Sequence, residues 1–219
     1  MVSREQLVQI IESSIDNLIM TFRKNSFFFY TENDLHCHLF AEIFGKLPLD
    51  EWKCETRDKE TSILLHKEYP TKARYVAKTL EEVASGGGRG HFDLCIWNPD
   101  ETKRRLFRVA GSTDFESEQH TFIAIEFDMV EGNETFEQAM HHFKWDLLKL
   151  RTPKNEVEHG YQLVFVRDWL YKRQFLAEAR SEASKAQNTS VLYIEKNKDS
   201  VRASTLSLKP FLKYEPMFK

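Results

Sequence analysis

A chain of 219 residues with 41% hydrophobic and 13% aromatic residues is long and apolar enough to bury one sizeable core, which excludes a disordered polymer. Its formal net charge of -3 excludes a nucleic-acid binder that relies on global positive charge, so any basic surface must be local. Three cysteines without a CxxC pair, a polar N-terminus and the lack of a run of ~18 apolar residues predict a soluble, cytoplasmic protein with reduced thiols and no membrane contact.

Two helices are predicted at the start of the chain. Over residues 4–22, apolar residues recur at helical spacing, so this helix is expected either to cap the core or to form a homodimer contact. A second helix starts at Thr31, because Thr31 and Asp34 have the spacing of a capping box, and it ends at Gly45. Glu32 heads the inward face of this helix, where it is either a simple cap at the positive end of the dipole or a site residue.

The next part of the chain contains the first strand. Residues 62–69 alternate in polarity and predict a strand closed by Pro70, whereas residues 72–84 predict a weak helix. The glycines between residues 86 and 90 are not followed by Lys-Ser/Thr, which excludes a phosphate-binding P-loop and favours a mobile connector.

The centre of the predicted fold is a strand over residues 121–129. Because side chains alternate between faces, Glu126 and Asp128 project from the same face of a strand that is too apolar for a surface position. Either a divalent cation compensates these charges, or the strand end is hydrated. The preceding strand, over residues 91–98, places Asp93 in a similarly apolar run.

The segment between these two strands is polar and carries a basic run. The run contains Lys103, Arg104, Arg105 and Arg108. It is either a phosphate contact or a solvated surface.

Helices and strands alternate in the C-terminal half. Asn133 is predicted to cap one helix, and Asp168 to cap another over residues 169–185. The first of these helices carries charged and histidine residues on its flank: His141, His142, Lys144, Asp146 and Lys149. Short strands are predicted over residues 161–166 and 191–194.

The order of these elements predicts an α/β fold in which a central mixed sheet is flanked by helices, with an extra N-terminal helix. We expect three regions. Residues 1–30 form the N-terminal helix and an aromatic connector, residues 31–195 form the core, and residues 196–219 form a polar tail.

Short motifs in this core resemble the PD-(D/E)xK nuclease superfamily, which includes restriction endonucleases and Holliday-junction resolvases. The motifs are the helix-borne Glu32, Gly90-His-Phe-Asp93-Leu-Cys-Ile, Ala124-Ile-Glu126-Phe-Asp128 and the helical Phe143-Lys-Trp-Asp-Leu-Leu-Lys-Leu150. The resemblance covers about residues 31–195. It implies the restriction endonuclease-like α-β-β-β-α-β core.

The resemblance also implies a nuclease that uses Mg²⁺ or Mn²⁺ and acts on DNA. A cation bound by carboxylates of adjacent strands collects charge on the scissile phosphate and generates hydroxide near neutral pH. Matched residue by residue, Asp93 and Glu126 are the implied metal ligands, with the Phe127 carbonyl as a third. Glu32 matches a helix acid that binds metal through water in some members.

Asp128 departs from the family pattern, which has a lysine two residues after the glutamate. Three explanations stay open. Asp128 binds a second metal ion, or a lysine from elsewhere takes over, with Lys144 the first choice and Lys67 the second. Otherwise catalysis has been lost, and the fold binds nucleic acid or a protein partner. A structural protein that dimerises through the N-terminal helix is a further alternative.

Two other chemistries are not favoured by the sequence. His36 and His38, together with His141 and His142, are candidates for a zinc site, but positions i and i+2 of a helix do not face each other. Cys95 is interpreted as a small core residue rather than a nucleophile.

Overall fold

The fold is described from a computed structural model. The structure describes residues 2–55, 61–84, 86–100, 120–132, 134–196 and 201–207. The basic run between residues 103 and 108 and the predicted cap Asn133 lie outside the described residues.

Five α-helices and nine strands are present in these residues. The helices are α1 (Arg4–Lys24), α2 (Glu32–Phe44), α3 (Leu49–Trp52), α4 (Phe136–Arg151) and α5 (Lys172–Ala183). The strands are β1 (Lys53–Glu55), β2 (Thr61–Ile63), β3 (Leu65–Val76), β4 (Glu81–Val83), β5 (Gly88–Trp97), β6 (Thr121–Val130), β7 (His159–Arg167), β8 (Thr189–Lys196) and β9 (Val201–Thr205).

Seven strands form one mixed sheet in the order β4-β3-β5-β6-β7-β8-β9. The pairs from β4 to β6 are antiparallel, the β6–β7 and β7–β8 pairs are parallel, and β9 is antiparallel to β8. Parallel neighbours need a long crossover, which α4 provides between β6 and β7 and α5 between β7 and β8. The predicted α/β fold with a central mixed sheet flanked by helices is therefore confirmed.

Helices cover both faces of this sheet. The face under α1 and α2 contributes Ile125, Phe127 and Phe165 to a large core, whereas the face under α4 and α5 contributes Val164 and Tyr193 to a second core. The apolar stripe of α1 is fully buried in the first core, as expected of a helix that caps the core: Leu7, Ile11, Ile15, Leu18, Ile19 and Phe22. The homodimer contact through α1 stays a prediction.

The stretch between residues 64 and 90 differs from the sequence prediction. β3 continues through Pro70, because a register shift between Pro70 and Arg74 accommodates the missing N–H, as at a β-bulge. Residues 72–84 were wrongly predicted as helical; buried and partly exposed residues alternate along β3 up to Val76. Gly90 belongs to β5 and donates its N–H to Thr71 Oγ1 over 3.1 Å, so it is not part of a connector.

Three further details of the C-terminal half differ. The N-cap of α4 is Thr135, whose hydroxyl accepts from the N–H of Gln138. α5 begins at Lys172, and Asp168 lies before it in a left-handed conformation with φ 40°. The predicted tail contributes β9 to the sheet. Among the described helices, none has the length and the apolar run needed to cross a membrane.

Candidate metal centre

Asp93 and Glu126 come together where β5 and β6 stop pairing. The ladder between these strands runs from Trp97↔Thr121 to Leu94↔Ile125, so the next facing positions are Asp93 and Glu126. There the N–H of Phe127 donates to Asp93 Oδ2 over 2.7 Å. The carboxylate of Asp93 is therefore held in the fork between two strands, beside the position of Glu126.

A cavity of about 420 Å³ opens at this fork. Its walls carry side chains from both helical layers and from the sheet: Glu32, Glu68, Arg89, His91, Asp93, Asp128, His142, Trp145, Asp146 and Lys149. The structure thus brings Glu32, Asp93 and Asp128, three of the acids selected from the sequence, to the wall of one cavity.

Lys149 of α4 connects this cavity to Glu126. Its Nζ lies 2.7 Å from Glu126 Oε2 and 2.8 Å from Asp146 Oδ1, and it donates to the carbonyl oxygen of His91 over 2.9 Å. Both Glu126 and Lys149 are buried. A Cβ at Gly90 would lie 2.9 Å from Lys149 Cδ, so glycine leaves the space that the lysine chain occupies.

The lysines selected from the sequence do not reach the acids. Lys144 forms an ion pair with Glu178 of α5. Lys67 contacts Asn33 of α2 and lies 3.7 Å from Cys37 Sγ. Positions 144 and 149 differ by five residues, which places them about 140° apart around an α-helix, so only Lys149 turns toward the sheet.

Asp128 lies on the same face of β6 as Glu126 and is buried. Its Oδ2 accepts from Gln162 Nε2 over 2.8 Å, and the same amide donates to the carbonyl oxygen of Phe143 over 2.9 Å. Gln162 of β7 therefore fixes the orientation of Asp128 between the sheet and α4.

Burial and mutual repulsion raise the pKa of the acids in this centre. Burial raises the pKa of Asp93 to about 6, although His36 opposes the shift. Burial is also the largest cause of the raised pKa values of Glu126, Asp128 and Asp146. For Lys149, burial alone would lower the pKa, but Asp146 and Glu126 outweigh it and raise the pKa of its ammonium.

The donor set fits a hard divalent cation. Four carboxylates lie close together with one lysine between them, so negative charge exceeds positive charge in a buried place, where unpaired charges are costly. Within the described residues, Glu126 Oε1 is buried and has no hydrogen-bond partner. Carboxylate oxygens are the ligands that Mg²⁺ and Mn²⁺ prefer.

Glu32 approaches the centre from α2, together with His36, which the sequence suggested only as a candidate zinc ligand alongside His38. His36 Nε2 lies 3.5 Å from Glu32 Oε1 and 3.6 Å from Asp93 Oδ2. The available signal was the i, i+4 spacing of Glu32 and His36, which puts both side chains on the same face of a helix. The spacing of Glu32 and His36 was missed because His36 was paired only with His38, two residues further along the helix.

Lys149 and Asp146 were also missed as site residues, because both were assigned to the outer flank of their helix. Asp146 follows Phe143 by three residues and precedes Leu150 by four, so it belongs to the buried stripe of α4. An acid in that stripe with a lysine three residues later is the pattern that indicates an inward-facing ion pair. Cys95, by contrast, is buried as predicted, and burial raises the pKa of its thiol.

Comparison of the chain with protein-family models, with curated proteins and with solved structures found no significant match.

Proposed function

We propose that the protein is a metal-dependent nuclease that hydrolyses phosphodiester bonds of DNA at a PD-(D/E)xK-like centre. The observation that carries this proposal is the ion pair of Lys149 with Glu126 next to Asp93. The two strand acids and one lysine are the combination of side chains that the nuclease motif requires, although the lysine comes from α4.

The order of the elements around the centre supports the same proposal. α2 carries the helix acid, β3, β5 and β6 form an antiparallel unit, and α4 then crosses over to the parallel strand β7. With α3, β1, β2 and β4 left aside, this order is consistent with the α-β-β-β-α-β succession that the resemblance implies. The site lies where the pairing of β5 and β6 ends.

Asp93, Glu126 and Asp128 are the residues that would hold Mg²⁺ or Mn²⁺. A cation bound there supplies charge neutralisation at the phosphate and a bound water of lowered pKa. Because acids outnumber Arg89 and Lys149 on the cavity wall, a phosphate is repelled from the cavity until positive charge is added. Metal uptake is therefore expected to precede substrate binding.

Lys149 acts through its positive charge in this scheme and not as a general base, because its three N–H groups already face Glu126, Asp146 and the carbonyl oxygen of His91. Asp146 and Glu126 keep its pKa raised, so the ammonium stays protonated at neutral pH. A fixed, buried ammonium stabilises the negative charge that develops on the phosphate oxygens. Asp146 orients it from the same helix, three residues away.

One observation favours the alternative, a catalytically inactive nuclease-fold protein that binds nucleic acid or a protein partner. Lys149 contacts both Glu126 and Asp146 and so compensates part of their charge without any metal. In that case, the ion pair is a structural feature of the core.

Metal titration and DNA cleavage together distinguish the two functions. Calorimetry is expected to show uptake of Mn²⁺ and Mg²⁺ by the wild type, loss of both in Asp93→Ala, and loss of Mg²⁺ uptake in Glu126→Gln. Supercoiled plasmid is expected to be nicked or linearised by the wild type with Mg²⁺ or Mn²⁺, and to stay intact with either variant or with EDTA.

The two possible failures have different meanings. If the wild type takes up no metal, the nuclease proposal is wrong. If it takes up metal through Asp93 and leaves plasmid and single-stranded DNA intact, the inactive binding protein is the better description. Lys144→Gln serves as a control, since its ion pair with Glu178 lies outside the centre.

A further inference from the structure

His36 is a buried histidine whose ring nitrogens lack hydrogen-bond partners. Only 4% of the residue is exposed, and neither Nδ1 nor Nε2 forms a hydrogen bond within the described part of the chain. An imidazole must have at least one N–H in either tautomer, and burying polar groups without a partner is costly. The carboxylates of Glu32 and Asp93 are the groups that Nε2 faces, at 3.5 and 3.6 Å.

These separations suit three ligands of one cation better than direct hydrogen bonds. Two ligand atoms that each lie about 2.1 Å from a metal ion are separated by about 3.0 Å at a right angle and about 3.4 Å at the tetrahedral angle. In the protein, one ligand atom each from Glu32, His36 and Asp93 lies within 4.8 Å of the others. Small side-chain movements would bring all three onto one ion.

We propose that Glu32, His36 and Asp93 form a second divalent-cation site, which prefers transition metals such as Mn²⁺, Co²⁺ or Zn²⁺ to Mg²⁺. An imidazole nitrogen binds these ions well and Mg²⁺ poorly, whereas carboxylates accept both. The proposal deepens the nuclease function and rests on it in one respect: Asp93 would be shared between this site and the carboxylate site of Glu126 and Asp128.

The three ligands are held in place by neighbouring contacts. The capping box of Thr31 and Asp34 fixes the first turn of α2, which carries Glu32. The ring of His36 packs against the ring of Phe127, with centroids 4.8 Å apart. The N–H of Phe127 in turn holds Asp93. One residue of β6 therefore positions two of the three ligands.

The second nitrogen of His36 also has an acid nearby. Glu68 Oε1 lies 3.9 Å from Nδ1, on the side of the ring away from Glu32 and Asp93. Metal-bound histidines commonly donate their other N–H to a carboxylate, which fixes the tautomer and the ring. The surroundings of His36 thus match those of a ligand that binds through Nε2.

Binding of Co²⁺ measures this site directly, because cobalt coordinated by protein ligands absorbs visible light. The metal-free wild type is titrated with Co²⁺ alongside His36→Gln, Glu32→Gln and the control His38→Gln. His38 lies on the same helix and contacts Phe29. We expect the first two variants to bind Co²⁺ at least about tenfold more weakly and the control to bind like the wild type. If His36→Gln does not fold, Glu32→Gln decides the result, because Glu32 is only partly buried.

Calorimetry with Mg²⁺ on the same proteins separates this inference from the nuclease proposal. His36→Gln is expected to retain Mg²⁺ uptake and Mg²⁺-supported cleavage, whereas Glu126→Gln loses both and keeps Co²⁺ binding at His36. Co²⁺ binding by His36→Gln or Glu32→Gln at wild-type affinity would contradict the second site without contradicting the nuclease proposal. A wild type that takes up Mg²⁺ but no Co²⁺ would have the same meaning. A wild type that binds neither ion would overturn both.

Discussion

Lys149 Nζ lies 2.7 Å from Glu126 Oε2, although the two residues are 23 positions apart in the chain. The position two residues after Glu126, where the nuclease motif has its lysine, holds Asp128 instead. Lys149 of the crossover helix α4 thus contacts Glu126, and the lysine reaches the glutamate from the helix and not from the same strand. This places a positive charge beside the two strand acids without a lysine in β6.

The first prediction concerns this lysine. Lys149→Met is expected to reduce plasmid cleavage about hundredfold or more, because loss of one preorganised electrostatic contact costs about 10²–10³ in rate. Lys144→Met is expected to cleave like the wild type. Rates are measured at saturating Mg²⁺ with the folded fraction confirmed by circular dichroism. Equal rates for the wild type and Lys149→Met would exclude a catalytic role.

Lys149→Met is also expected to be less stable, by about 3–5 kcal/mol, since it leaves the buried Glu126 without its partner. Urea unfolding measures this loss. The double variant Glu126→Gln with Lys149→Met is expected to recover part of it. No recovery would mean that packing of the lysine chain, and not its charge, stabilises the core.

The second prediction uses Gly90. An alanine Cβ there would come within 2.9 Å of Lys149 Cδ, whereas a Cβ at Gly88 has no atom within 4 Å. Gly90→Ala is expected to displace the lysine, to lower cleavage at least about tenfold and to cost about 1–3 kcal/mol of stability. Gly88→Ala in the same strand is the control and is expected to match the wild type. Unchanged cleavage in Gly90→Ala would show that the position of Lys149 does not limit the reaction.

The third prediction is a pH dependence of stability without metal. Burial raises the pKa of Asp93 from 3.8 to about 6, so the folded protein holds this proton more tightly than the unfolded chain does. The stabilising contribution is complete below pH 3.8 and is lost as the pH rises through 6, a loss of about 3 kcal/mol. Asp93→Asn does not titrate. In EDTA, it is therefore expected to be more stable than the wild type at pH 7.

Urea unfolding at pH 4, 5, 6 and 7 tests this difference. Comparison of the two proteins reports Asp93 together with its effect on Glu126 and Asp128, whose pKa values the charge of Asp93 raises. Excess Mn²⁺ is expected to stabilise the wild type at pH 7 and to leave Asp93→Asn nearly unchanged. A constant difference between the proteins from pH 4 to pH 7 would contradict a raised pKa at Asp93.

Local signals in the sequence were sufficient for the elements that carry the acids. The capping box at Thr31 and Asp34 gave the start of α2, and the alternation after Thr121 gave β6 and the shared face of Glu126 and Asp128. Both signals depend on neighbouring residues alone. Pro70 misled the prediction of β3, because a proline ends a regular strand, but a register shift accommodates it here.

The long-range part of the centre left a weaker signal. Which lysine reaches Glu126 depends on how α4 is rotated over the sheet, and the apolar stripe of α4 indicates that rotation only once Asp146 is counted among its buried positions. The same holds for His36, whose ring meets Asp93 only because α2 packs on β5 and β6. Contacts between elements are set by packing of the whole core, and a single sequence does not contain that information explicitly.

The last prediction concerns Asp128, which accepts from Gln162 over 2.8 Å. Asp128→Asn keeps an oxygen that can accept this hydrogen bond and removes only the charge. If Asp128 is a metal ligand, Mg²⁺ affinity measured by calorimetry is expected to fall about tenfold or more. Glu134→Gln is the control for lost charge, since Glu134 contacts His142 outside this carboxylate group.

Stability separates the two roles of Asp128. Burial and the nearby Asp146 raise the pKa of Asp128, so the metal-free Asp128→Asn variant is expected to unfold at a higher urea concentration than the wild type at pH 7. If Asp128 is a metal ligand, its buried charge destabilises the metal-free protein and binds the cation. Asp128→Asn is then expected to combine greater stability with weaker Mg²⁺ binding. Greater stability with unchanged Mg²⁺ binding would instead make Asp128 a hydrogen-bond partner of Gln162, and the carboxylate site would then consist of Asp93 and Glu126.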